Sequence, residues 1–253
     1  MSFDFSNRVV VVTGGASGIG RGVVEAFLAH GAAVALTYKT SADGAAEIEA
    51  AAGAAGRRAI SIEADLTSEE AVAAMVETVN QRLGPIDVMV ANAGGLLQRS
   101  KVADCSMSLW NEAVAINLTS TFLCCRAVLQ QMTAAGRGHI ITISSLAGHD
   151  GGGAGATHYA TMKGGVITFT RALAKEVGPL GIHVNGIAPG LIATRFHDVF
   201  STADGRRAAV ERTPLRREGT PADVAGAALY LASPLSDFLT GETIEVNGGQ
   251  GLY

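Results

Sequence analysis

The chain has 253 residues, 48% of them hydrophobic and 17% charged, with a formal net charge of −4 at pH 7. That balance excludes a disordered chain, because enough apolar surface is available to offset the entropy of ordering, and it offers no basic face for nucleic acid or an anionic membrane. Cys105, Cys124 and Cys125 form an odd set without a CxxC pair, and no histidine pair has HExxH-type spacing, so neither a disulfide framework nor a catalytic metal is expected.

The opening residues, MSFDFSNR, lack a basic segment followed by an apolar one. No apolar run approaches the roughly 18 residues of a membrane span, so cytoplasmic residence is expected. Residues 9–13 begin a series of apolar, β-branched runs that continues at 33–37, 59–62, 88–91, 139–144, 183–188 and 243–246. Most are apolar on both faces, the pattern of parallel strands covered on both sides. Between the first two, Ile19, Val23 and Phe27 recur at a spacing of four and Gly31 closes a helix. Residues 42–59 read as a short surface helix carrying Glu47 and Glu49, and longer helices are predicted over 68–82, 108–134 and 157–177. Strand and helix thus alternate, which predicts an α/β fold: a doubly wound, seven-stranded parallel sheet with helices on both faces. No repeat, linker or charge block divides residues 1–253, so one domain is expected. Residues 190–220, rich in Arg, Thr and Asp, read as a long irregular loop beyond a strand's carboxyl end, a candidate substrate loop.

Residues 9–20, VVVVTGGASGIG, run from a strand through glycines into a helix. Gly14, Gly18 and Gly20 allow a sharp turn and a close approach to a pyrophosphate, and a helix N-terminus adds amides and a favourable dipole. The spacing is not GxGxxG, and a turn that merely needs small residues is the alternative. Tyr159 and Lys163 lie four apart and share a helix face. A neighbouring ammonium stabilises a phenolate and lowers a tyrosine pKa from its ordinary value near 10, making proton exchange with a substrate oxygen feasible; by themselves the two read as a surface pair. Ser144 and Ser145 close the run ITISS, where a hydroxyl can face a crevice. Asn117 interrupts an apolar stretch containing Val114, Ile116, Leu118 and Phe122 and alone reads as a core amide. Asp65, just before Thr67 and Ser68, suits a helix start, and Asn92 ends a strand.

In their joint order these segments resemble the short-chain dehydrogenase/reductase family. Its TGxxxGxG motif stands here as Thr13-Gly14-Gly15-Ala16-Ser17-Gly18-Ile19-Gly20. Asp65-Leu66-Thr67, Asn92-Ala93-Gly94, Asn117, Ser145, Tyr159 with Lys163, Pro189-Gly190, Ile192-Ala193-Thr194, Thr240-Gly241 and Asn247-Gly248-Gly249 follow. The resemblance implies a Rossmann-like fold and hydride transfer between NAD(P)(H) and a carbonyl or alcohol. It implies that Tyr159 is the general acid/base beside Lys163, that Ser145 orients the substrate oxygen with Ser144 as the alternative, and that Asn117 holds a water in a relay with Lys163 and Tyr159. Ser145 and Tyr159 stand one residue further apart than is usual in the family, with the extra residue in the stretch 148–155. For the cofactor it implies Gly14, Ser17, Gly18, Ile19 and Gly20 at the pyrophosphate and Asp65 with Leu66 at the adenine amine. Asn92, Ala93 and Gly94 would brace the central strands, and Pro189, Gly190, Ile192 and Thr194 would lie near the nicotinamide amide. Relatives are commonly homotetramers, with 108–134, 157–177 and the C-terminal segment at the interfaces.

NAD-selective members carry an acidic residue at the end of the second strand, whereas here Tyr38 occupies that position and Lys39 follows. Lys39, with Thr40 or Ser41, suits a 2′-phosphate and favours NADP(H). Ser17 stands where many NADP-preferring relatives are basic, which leaves NAD(H) usable as well. The substrate expected is a small polar sugar or keto acid. Gly94-Gly95-Leu96-Leu97-Gln98-Arg99, His149-Asp150-Gly151-Gly152-Gly153, His158 and Arg195-Phe196-His197-Asp198 offer polar groups and resemble reducers of uronate-derived keto sugars, with Arg99 or Arg195 as a carboxylate partner. The alternative is a 3-oxoacyl thioester on an acyl carrier protein. A reading from a different class is a cofactor-sensing module without catalysis.

Overall fold

The structure, a computed structural model, describes residues 3–253, and the side chain of His197 lies outside the description. Strands β1 (Val9–Val12), β2 (Ala33–Tyr38), β3 (Ala59–Glu63), β4 (Val88–Ala91), β5 (Gly138–Ile143), β6 (Ile182–Pro189) and β7 (Thr243–Val246) form one sheet in the order β3-β2-β1-β4-β5-β6-β7. Every pairing is parallel. The order reverses between β1 and β4, and that reversal opens a crevice at the carboxyl ends of the two strands.

The strands are apolar on both faces because both are covered. Val10, Val12, Val34, Leu36, Val88 and Val90 face helices α1 (Gly18–Ala29), α2 (Ala42–Ala54) and α10 (Pro221–Leu231). Val9, Val11, Ala35, Met89 and Ala91 face α3 (Glu69–Arg82), α5 (Ser120–Ala135) and α7 (Thr157–Val177). Helices α1 and α10 touch through glycine: a Cβ at Gly22 would lie 2.5 Å from Pro221 Cβ.

Three segments depart from the sequence expectation. Residues 108–134 are not one regular helix: α4 (Met107–Val114) passes through a π-helical turn at Ala115–Thr119 into α5. By length and composition 107–135 is apolar enough to cross a membrane, where no such run was expected; here Leu123, Cys124, Cys125, Val128 and Met132 are buried in the core. The surface helix expected over 42–59 stops at Ala54. Finally, 190–220 is not irregular. It holds α8 (Arg195–Phe200) and α9 (Ala203–Arg212), and a four-residue helix, α6 (Ala147–Asp150), follows Ser145.

Candidate active site

The turn after β1 is held by threonines. Thr13 and Thr37 are both buried. The Thr13 hydroxyl accepts from the amides of Asn92 (2.9 Å) and Ala93 (3.0 Å), tying the ends of β1 and β4 together at the sheet's reversal. Thr37 Oγ1 accepts from Gly14 N at 3.1 Å. Asn92 Nδ2 donates to the carbonyls of Thr13 (2.8 Å) and Gly14 (3.3 Å). Gly14 has φ +61°, and a Cβ at Gly20 would stand 2.2 Å from the Gly14 carbonyl oxygen; the loop can close only around glycine. The result is a bare backbone turn that leads into the N-terminus of α1, a setting suited to a pyrophosphate. Ser17 is exposed there and makes no capping bond with its side chain. Gly18 faces Thr194, whose Cγ2 lies 3.5 Å from where a Cβ would be, so the segment 192–194 meets the glycine loop. Ile19 packs on the core, as do Leu66 and Ala93 on its opposite side.

Tyr159 and Lys163 lie on α7, and the structure brings both to the crevice. Lys163 is buried and donates to the Ile143 carbonyl at 2.8 Å; its Nζ lies 5.8 Å from the centre of the Tyr159 ring. Burial lowers the Lys163 pKa from 10.5 to about 8. The Tyr159 pKa is raised by burial and drawn back by a hydrogen bond with Ser145. The expected lowering by Lys163 is not found in the protein alone: its Nζ stands 5.8 Å from the ring centre, and desolvation of the phenol outweighs the Ser145 bond. Ser145, at the end of β5, is the serine that faces Tyr159, while Ser144 is buried behind it.

Asn117 sits in the π-helical turn, wholly buried. Its side chain grips Gly95, taking the Gly95 amide at Oδ1 and donating to the Gly95 carbonyl from Nδ2, each at 3.0 Å. The second amide hydrogen goes to Ala113 O at 3.0 Å. With both amide hydrogens spent, what Asn117 can offer a relay is acceptor capacity, at Oδ1, which takes only the Gly95 amide, or at the main-chain carbonyl. The main-chain carbonyl accepts from Thr121 Oγ1 at 2.9 Å. Gly94 must be glycine, since its φ is +156° and a Cβ would lie 2.6 Å from Asn117 Oδ1 and 3.2 Å from Lys163 Nζ.

At the far end of the crevice Lys39 and Asp65 form an ion pair of 2.6 Å. Lys39, and then the hydroxyl and amide of Thr67, hold the Asp65 carboxyl down at about 2. Tyr38 is half-buried beside them. Both partners of the pair are exposed, so it is worth at most about 1 kcal/mol, and a doubly charged phosphate can compete for the lysine.

On the substrate side, most of the expected polar groups are held by the protein itself. His158 is buried, its Nε2 bonded to Leu96 O at 3.0 Å. His149 pairs with Glu245 at 2.9 Å and stacks on Tyr253. Asp198 pairs with Arg206, and Arg99 donates to the carbonyls of Phe200 and Ala154. Arg195 is exposed. The ring beside Tyr159 is Phe196, 5.9 Å between centres. Pro189 ends β6, and Gly190 lies so close to Asn247 that a Cβ would reach its Cβ at 2.7 Å. Sequence reasoning does not single out Thr37 and names Gly95 only within the polar segment 94–99; two threonines ending adjacent buried strands are the available signal for the first.

A family model described as enoyl-(acyl carrier protein) reductase matches residues 14–250. The chain is 38% identical over 250 residues to the 3-oxoacyl-[acyl-carrier-protein] reductase FabG of Vibrio harveyi, spanning 97% of this chain and 98% of the relative. Among solved structures, a Brucella melitensis protein described as a short-chain dehydrogenase/reductase, glucose/ribitol dehydrogenase, superposes with a TM-score of 0.91 at 34% identity over 100% of both chains. A 7α-hydroxysteroid dehydrogenase complexed with NADH and 7-oxo glycochenodeoxycholic acid gives 0.93 at 31% identity, covering 99% of this chain and 97% of that one.

Proposed function

The chain belongs to the short-chain dehydrogenase/reductase family, oxidoreductases that use a nicotinamide cofactor on carbonyl or alcohol groups, and from that premise we propose that it reduces a 3-oxoacyl thioester with NADPH. Tyr159 gives its proton to the substrate oxygen, Ser145 orients that oxygen, and Lys163 balances the phenolate left behind. Asn117 contributes its main-chain carbonyl to the path by which Tyr159 is reprotonated. The glycine turn of Gly14, Gly18 and Gly20, with Ser17 at its exposed edge, fits the pyrophosphate, and the bound nicotinamide supplies the hydride. Asn92, Ala93 and Gly94 form the crevice floor. Pro189, Gly190, Ile192 and Thr194 line the nicotinamide end, and Tyr38, Lys39, Asp65 and Leu66 the adenosine end. Lys39 favours NADP(H), with NAD(H) as the second cofactor. Residues 190–220 serve as the substrate loop of a single domain. A cytoplasmic homotetramer is the expected form, with Phe122, partly exposed where it meets Phe169, on one of the helices expected at the interface.

The observation that carries the thioester reading is the aromatic cover of Tyr159 by Phe196, with His149, His158, Asp198 and Arg99 spent on internal partners. A keto sugar or keto acid is the second reading, favoured by exposed Arg195 next to Phe196. Comparing kcat/KM for an acetoacetyl thioester with that for keto sugar acids, using both cofactors, tests the choice. A hundredfold preference for the thioester is expected, and a preference for the acids overturns it.

A further inference from the structure

Residues 193–218 form a flap closed at its base by two backbone bonds, Ala193 N to Gly219 O (2.8 Å) and Gly219 N to Leu191 O (2.9 Å). Arg206 stiffens the flap internally, reaching Asp198 on α8 and, with Nε at 2.7 Å, Glu218 near the base. The tip lies over the chemistry, with Phe196 against Tyr159 and Phe200 against Phe196. Arg99, a side chain from outside the flap, is bonded to this tip. Arg99 Nε donates to the carbonyl of Phe200 at 3.0 Å, and Nη1 donates to the carbonyl of Ala154 at 2.8 Å.

Those acceptors belong to two different segments. Phe200 is the last residue of α8, so its carbonyl lacks an intrahelical donor and lies at the negative end of the helix dipole. Ala154 lies in the glycine-rich stretch between Ser145 and Tyr159. That stretch is moulded around Arg99: Ser100 N donates to Gly155 O at 2.9 Å, and a Cβ at Gly155, φ +74°, would lie 3.2 Å from Arg99 Cβ. Arg99 itself is anchored from behind, because Asn117 grips Gly95 and His158 holds the Leu96 carbonyl. The guanidinium offers these two donors from separate nitrogens in a rigid planar fork, whereas the three donors of an ammonium leave a single atom on a flexible stem.

We propose that Arg99 is a positioning residue, a latch that fastens the flap and the glycine-rich stretch together over Tyr159 and lets go when substrate passes. The inference rests on the reading of 190–220 as the substrate loop. Arg99 is exposed, so the latch opens readily, and each charge-assisted bond carries an equilibrium weight of about tenfold.

The test is hydrogen–deuterium exchange of the whole protein, read by mass spectrometry on peptides covering 194–212 and 150–156, with peptides from β1 and β4 as internal reference. Arg99→Ala is expected to speed exchange about tenfold in both segments and leave β1 and β4 unchanged. Arg99→Lys, which keeps the charge but loses the rigid two-nitrogen fork, is expected to speed exchange in both segments by less than Arg99→Ala does. With a turned-over carbonyl substrate, Arg99→Ala should raise KM about tenfold and leave the Kd for NADPH unchanged. Unchanged exchange in 194–212 overturns the latch, as does faster exchange in β1 and β4, which would mark a general structural role. A kinetic defect confined to carboxylate-bearing substrates with unchanged exchange would make Arg99 a direct ligand instead. Exchange needs no turnover, so a protein that reduces no thioester yet shows the released flap would sink the substrate reading and leave the latch standing.

Discussion

Lys163→Met should make the protein more stable at pH 7 while abolishing turnover. The folded protein holds the Lys163 proton with a pKa of about 8 against 10.5 for an ordinary lysine. At about 1.4 kcal/mol per tenfold, keeping that ammonium buried below pH 8 costs about 3 kcal/mol. Methionine has similar length and no charge, but forfeits the bond to the Ile143 carbonyl, worth about 1 kcal/mol. The net gain at pH 7 is therefore about 2 kcal/mol. Above pH 8 the folded wild type releases the proton while the unfolded chain keeps it up to 10.5, so wild-type stability rises with pH through this window. The advantage of the variant accordingly shrinks to about zero near pH 10. Urea midpoints for both proteins at pH 7 and pH 10, at equal protomer concentration, read this directly. A variant less stable at pH 7, or a difference that is the same at both pH values, would refute the reasoning.

Tyr159→Phe removes the phenol that Ser145 bonds and should cut kcat by about 10²–10⁴ with the Kd for cofactor nearly unchanged; a variant keeping more than a tenth of the activity would end the proposed role. Lys39→Ala should raise KM for NADPH much more than KM for NADH, because only NADPH carries the 2′-phosphate that Lys39 is proposed to meet. Equal effects on the two cofactors would show that Lys39 serves Asp65 alone.

The sheet was legible because its strands are apolar on both faces and bounded by turn residues. Thus 88–91 and 243–246 coincide with β4 and β7, while 139–144 is displaced by one residue from Gly138–Ile143. Helix α9 was not legible. Its sequence ADGRRAAVER buries no residue, so it has no apolar period to detect. What holds it is a Thr202 hydroxyl accepting the Gly205 amide at its start and Arg206 bonding to Asp198 and Glu218. The π-helical turn around Asn117 was invisible for another reason: one extra residue per turn leaves an apolar helical pattern nearly intact over a few residues.

The site differs from the fold in what a sequence can say about it. Tyr159, Lys163, Ser145 and Asn117 were each named by type and order, and all four reach one end of the crevice. Yet a residue type fixes only what a side chain can donate or accept, and chemistry depends on what the fold leaves unspent. Asn117 arrives with its amide hydrogens used on Gly95 and Ala113, so it can serve a relay only as an acceptor. Lys163 arrives bonded to Ile143 O, and burial sets the Tyr159 pKa against the direction that adjacency alone suggested. Arg99, read as a carboxylate partner, is committed to carbonyls 101 and 55 positions away. Pairings over such separations are decided by how the strands and helices stack, which is why the order of the motifs could be read along the chain while the residual valence of each group had to come from its neighbours.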